Sequence, residues 1–373
     1  MTALDSRRRR TTRIMLAVTA VTVVLGPLLG YAGARAVLSS TGGKDAKAKN
    51  LPVHTFPATP TALYLTTDPA GKLSSVSVVV LDPALRGGSV VSVPLNSDVG
   101  FNDDARQSLQ QVFADAGAEG AKAAAESLLL VNLDHVQVSD AAQTADLFKS
   151  LSAISVVRAG LPTLTVDPAE AARLLTAAPP DTATGQAEHR ADVEAVWAGV
   201  ASAVGNGLPT SIDTTSMPTN SAEVMAHLFA GPVHSRGLAT SEFTATQNPG
   251  NLDVVQVDRS DVVMVFASIA PGSMSAPSPG LLFRLEAPTG YEAAVKRTVD
   301  KLLYLGANIV SIDMTVAPRP DTVFMVPDAI NRSKAEQTNA IFGSISFVDP
   351  SFRIDGVDLT IVLGTDYLSK ATS

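Results

Sequence analysis

The sequence contains no cysteine. That excludes disulfides, thiolate metal sites and a thiol nucleophile. Histidine is scarce, and the five residues His54, His135, His189, His227 and His234 show no paired spacing suited to zinc. No serine stands in a Gly-x-Ser-x-Gly elbow. No glycine loop is built to cradle phosphate, because GAEGAK (117–122) lacks both the P-loop spacing and the hydroxyl residue after lysine. Positive charge is also short. Past residue 38 the chain carries 22 basic and 35 acidic residues, a net of −13 against −8 for the whole. A domain of that sign is a poor nucleic-acid partner, since phosphate neutralisation needs Lys and Arg. Without disulfides the fold rests on its core, and 46% hydrophobic residues in a chain of 373 supply one. Two domains are expected at this length.

The missing positive charge is concentrated at the start. Arg7, Arg8, Arg9, Arg10 and Arg13 precede an uncharged run from Ile14 to Ala34. About 20 apolar residues cross a bilayer core, and the one-sided arginines predict a cytoplasmic N-terminus with everything after the run exported. A cleaved signal peptide is the alternative, with AGARA (32–36) as its cleavage-like stretch. The run exceeds the usual apolar region of such a signal, which favours a retained anchor. The expected layout is therefore a basic tail (1–13), one transmembrane helix (14–34) and a small, polar, Pro-containing stalk (35–60).

Strand-like and helical segments then alternate. ALYLTT (62–67), SSVSVVVLD (74–82), SVVSVP (89–94) and DHVQVS (134–139) read as strands. Helical spacing covers the stretch from Leu109 to Leu129, 141–151, the segment opened by Asp167-Pro168, Asp192–Val204 and Ser221–Phe229. A first domain over 61–240 is followed by a connecting segment and linker, 241–281, rich in Pro, Gly and Ser at its end. Strands at 281–288, 307–314, 322–327 and 357–364, with helices at 292–305 and 333–342, form a smaller unit over 282–373. The fold class predicted is α/β. A layered α/β/α domain with a mixed central sheet precedes a smaller C-terminal α/β domain, both behind one N-terminal transmembrane helix.

Several strings resemble the LytR-CpsA-Psr family: LYLTTD (63–68), SSVSVVVLDP (74–83) with SVVSVPLNSDV (89–99), and AAAESLLLVNLDHVQVSD (123–140). TVFMVPDAINRSKAEQTNAIFG (322–343) and VDLTIVLGTDY (357–367) are similar to the family's LytR C-terminal domain. The resemblance spans most of the exported chain. It implies a membrane-anchored protein of the bacterial envelope whose relatives attach phosphodiester-linked glycopolymers to the wall. In that family arginines hold a lipid-linked pyrophosphate and acidic residues hold magnesium, as transfer of so charged a group requires. Here Lys72 stands for the first arginine, Ser74 for an aspartate, and Leu95-Asn96 for an Arg-Asp pair, while LLTAAPP (174–180) replaces paired arginines. Lysine does not reproduce a bidentate arginine. The resemblance thus implies a dismantled transfer site.

What remains is Asp68 with Lys72, Arg106 and Arg190, a residual anion-binding set in which Asp68 is also the metal candidate. The alternative for all four is ordinary surface and strand-end charge. Asp134-His135 falls on opposite faces of a strand and reads as structural, and His189-Arg190 at a helix start reads as a solvated end rather than a general base. Asp103-Asp104 reads as a helix cap. The expected function is a binding or accessory module for a lipid-linked glycopolymer or cell-wall polymer. Two alternatives stand beside it: a divergent phosphotransferase using Asp68, Lys72 and Arg190 with magnesium, and a scaffold that captures a protein partner through 282–373. No cofactor is expected, and magnesium enters only with catalysis.

Overall fold

The computed structural model describes residues 51–100, 106–180, 182–209, 213–343 and 345–372. The predicted transmembrane helix and the Asp103-Asp104 pair lie outside them. Among the described residues no helix is long and apolar enough to cross a membrane.

A mixed five-stranded sheet organises the first part. β1 (Thr61–Thr67), β2 (Leu73–Leu81) and β3 (Gly88–Val93) form an antiparallel meander. β4 (His135–Ser139) adds in parallel beside β1, and β5 (Val233–Gly237) in parallel beside β3. The order is β4-β1-β2-β3-β5. Every residue of β2 and β3 is buried, which explains why both read as near-continuous runs of Val, Ser and Leu. Helices cover both faces, as the predicted layering requires.

Tyr64, Val79 and Val90 point to one face. They pack against α2 (Ala141–Phe148), α3 (Pro168–Leu175), α4 (Ala183–Val204) and α5 (Ser221–Phe229). Trp197 lies at the centre of this layer. Its ring meets Tyr64 and Phe148 edge-on, with centroids 5.9 and 5.7 Å apart. Leu63, Leu65, Val78 and Val91 point the other way, onto α1 (Leu109–Leu129) and α6 (Arg259–Ile269). Gly117 has φ +68 inside α1 and kinks it there, a backbone angle glycine adopts without strain. The N-terminus of α1 is capped by Ser108, whose Oγ accepts from the Gln111 amide at 3.1 Å.

Residues 282–373, read as a separate unit, build a second mixed sheet. Its strands are β6 (Leu282–Glu286), β7 (Asn308–Asp313), β8 (Val323–Met325), β9 (Ser346–Val348) and β10 (Leu359–Val362), in the order β7-β6-β10-β8-β9. Helix α7 (Glu292–Tyr304) buries Val295, Val299 and Leu302 against it.

The segment 241–281, expected to connect two domains, does more than connect. It contains α6, whose Val262, Val265 and Phe266 belong to the first core while Val263 and Ala267 belong to the second. The helix is apolar around most of its circumference because it is covered on both sides, and that erases the amphipathic stripe a surface helix would show. Lys296 of α7 closes the junction on the Asp258 carboxylate at 2.7 Å and on Asp261 at 3.7 Å. Burial raises the Asp258 carboxyl, but hydrogen bonds from Lys296, Ser260 and the Asp261 amide outweigh it and hold it below the usual carboxylate value.

The described end of the predicted stalk is also tied down. Val53–His54 pairs in parallel with Arg353–Ile354, and the Phe352 ring meets His54 at 4.8 Å.

Candidate functional site

The resemblance places a transfer site at one end of the central sheet, where β1 turns into β2 and β3 runs out toward α4. Local chemistry explains the turn. Oδ1 of Asp68 accepts the amides of Ala70 and Lys72, each at 2.9 Å, which is the Asx geometry of a tight turn. Asp68 is 7% exposed. Lys72 lends its main chain to that turn, and its side chain is exposed.

Beyond the turn, neutral side chains bond to the backbone. Ser74 Oγ donates to the carbonyls of Leu175, at 3.0 Å, and Ala177. The carbonyl of Ser74 accepts from His189 Nε2 at 2.8 Å, so this histidine, expected at a solvated helix start, is instead buried within α4 and structural. Thr66 Oγ1 bonds Ser75 Oγ and the Leu175 carbonyl, both at 2.7 Å. Leu95, standing for an arginine, turns into the core on the α1 side and is buried there. Asn96 reaches Asp253 at 3.3 Å. The cavity left among Ser74, Ser92, Asn96, Gln186, His189 and Arg190 holds about 10 Å³. That is room for about one water molecule and none for a pyrophosphate.

The four predicted charges do not converge. Arg106 is an anchored side chain, 6% exposed, in an ion pair with Asp98. Its Nε donates to the Gln247 carbonyl at 2.8 Å, and its guanidinium lies 3.6 Å from the centre of the Phe243 ring. It lines a cavity of about 600 Å³. Arg190 lines a different one of about 540 Å³ with Asn96, Glu242 and Asp253, and Phe243 borders both. Neither cavity is lined by Asp68 or Lys72. Asp98 lies far along the chain from Phe243 and Gln247, and no local motif marks them.

Magnesium does not fit the residues present. One oxygen of Asp68 is committed to two amides, and Ser74 and Asn96 carry no charge. Among the described residues no group of three or more His, Asp or Glu is placed to hold a metal. Asp134 is structural as well. Its Oδ2 accepts the Thr61 amide at 2.9 Å and its own amide donates to Thr61 Oγ1 at 3.0 Å, which ties β4 to β1.

Glu194 of α4 lies against β5, close enough that a Cβ on Gly237 would stand 2.2 Å from its carboxylate. Burial pushes the Glu194 carboxyl above its ordinary value, and Arg190 draws it partly back. The folded state therefore takes up this proton before the unfolded state does as pH falls. Its contribution to stability grows as pH drops through the folded value and is complete below the unfolded value of 4.5. Thermal melts of Glu194→Gln across pH 4 to 7 are expected to lose this rise and to show a higher Tm than wild type near neutrality. An unchanged pH profile would contradict the assignment.

No family model and no curated protein matches the chain. Solved structures do. TagT of Bacillus subtilis is 14% identical, over 55% of this chain and 86% of that one, at a TM-score of 0.39. A LytR-CPS2A-psr family protein, YwtF (TagT), with bound octaprenyl pyrophosphate lipid, is 15% identical over 55% and 86%, at 0.36. The Lin1025 protein of Listeria innocua is 18% identical over 55% and 94%, at 0.34. Likeness of this size assigns neither activity nor ligand.

Proposed function

We propose that this protein is an extracytoplasmic, membrane-anchored relative of the LytR-CpsA-Psr proteins that binds a lipid-linked or wall glycopolymer without transferring it, as an accessory module of envelope assembly. The family reading rests on the strings quoted above, and the anchor on the arginines and apolar run of residues 7–34. One observation carries the non-catalytic part. Where transfer would need arginines and carboxylates facing a diphosphate, Ser74 and Asn96 are neutral, Leu95 is in the core, and the cavity of about 540 Å³ that Asn96 and Arg190 line includes neither Asp68 nor Lys72. A developing phosphoryl charge would meet Arg190 and little else.

The test uses the purified full chain with Mg²⁺ and an octaprenyl-pyrophosphate-linked oligosaccharide. Binding without release of octaprenyl phosphate is expected. Release that disappears in Arg190→Ala would establish the divergent phosphotransferase instead. Export is checked separately, by a periplasm-type reporter fused after residue 50 that works only outside the cytoplasm.

A further inference from the structure

The described chain enters the fold on a short exposed ribbon, in which Val53 and His54 pair in parallel with Arg353 and Ile354. Val53 is 50% exposed, Phe352 beside the ribbon 43%, and Val348 of the edge strand β9 46%. Single exposed apolar residues are ordinary, but here three large ones lie on one ribbon and the edge strand that leads into it. Paired residues of neighbouring strands share a face, and successive residues alternate. Val53 and Arg353 therefore face one way and His54 the other, with the Phe352 ring on the His54 side at 4.8 Å. Apolar surface is left open on both sides of the ribbon. A flat protein partner covers one such side, whereas a fluid layer surrounds both.

The place of the ribbon in the chain points to a bilayer surface as that layer. Leu51 follows the apolar run that ends at Ala34 by only 17 positions, a tether of at most about 60 Å when fully drawn out. Charge agrees. Residues 35–50 carry Arg35, Lys44, Lys47 and Lys49 against Asp45 alone, in a chain whose net past residue 38 is −13. Basic segments of this kind are drawn to anionic headgroups. Arg353 and His54 are exposed, and such side chains hold their polar tips among headgroups while apolar neighbours sink past them. The nearby Asp349 and Asp355 are exposed too and can stay on the aqueous side.

We propose that Val53, Phe352 and Val348 rest in the headgroup layer of an anionic bilayer and hold the second sheet against the membrane. The inference rests on the anchored reading given above. The chain has no cysteine, so Phe352→Cys and Tyr304→Cys each carry a single fluorescent dye. Both positions are exposed, Tyr304 at 90%, so neither change opens the core. The full chain is reconstituted in vesicles of phosphatidylglycerol and phosphatidylcholine that contain a spin-labelled lipid as quencher. Quenching at position 352 is expected to exceed that at 304 by about threefold or more. Vesicles of phosphatidylcholine alone should reduce the excess, and so should Val53→Ser combined with Val348→Ser. Equal quenching at the two positions, in a chain that floats with the vesicles, overturns the proposal and leaves the anchor standing. A chain that does not float overturns both. Energy transfer between chains labelled at 352, without lipid quenching, would place a second copy on the ribbon and also overturn it.

Discussion

Phe266→Ala is expected to destabilise both halves of the molecule at once, by about 3–5 kcal/mol. Phe266 is fully buried on the face of α6 that meets the central sheet. On the adjoining face of the same helix, Val263 and Ala267 enter the second core. A cavity under Phe266 therefore loosens the helix against both partners. Urea unfolding followed by Trp197 fluorescence, which reports the first sheet, and by far-UV circular dichroism, which reports both, should give coincident curves that shift together. Two separated transitions, with only one moved by the substitution, would show that the halves fold alone. The same geometry bears on a scaffold role for residues 282–373. Their deletion uncovers Val263 and Ala267, so the loss of a partner in such a truncation cannot be credited to the missing surface.

The second large effect is expected at Trp197. Trp197→Ala removes the ring between Tyr64 and Phe148 and should cost about 3–5 kcal/mol. Trp197→Phe should cost much less. It keeps an aromatic ring in the layer, and it removes an indole N–H that is buried without a hydrogen-bond partner. Circular dichroism melts of the two variants distinguish packing from polarity. Equal losses would mean that ring shape, not volume, holds the layer.

Much of the architecture could be read from local pattern. The strands at 62–67, 74–82 and 89–94 emerge within a residue or two, because alternation and valine content announce a sheet covered on both faces. Asp167-Pro168 marks its helix correctly, with Asp167 accepting the Glu170 amide at 2.8 Å. Helix α4 was expected to start at Asp192 but starts at Ala183, where Thr182 caps it. The turns gained, TGQAEHR, have no apolar stripe, since their burial against Ser74 and Pro180 uses polar and small side chains. Helix α6 was missed for the opposite reason, being apolar on nearly every side. The site was the least legible part. Asp68 looks the same in a sequence whether it binds a metal or two amides, and only the fold shows which. Arg106 and Arg190 were placed apart by Phe243, a residue more than fifty positions from either.

The strand order of the second sheet has a consequence in time. Its central strand, β10, is the last to be made, and β6 and β8 both pair with it. The second sheet therefore cannot close until residue 362 has emerged. Until then, one side of α6 waits uncovered while about ninety further residues are synthesised, an interval of roughly 5–20 s at ordinary rates of translation. That interval is when the chain is most exposed to proteases and to self-association, and the four residues Leu359–Val362 bring it to an end.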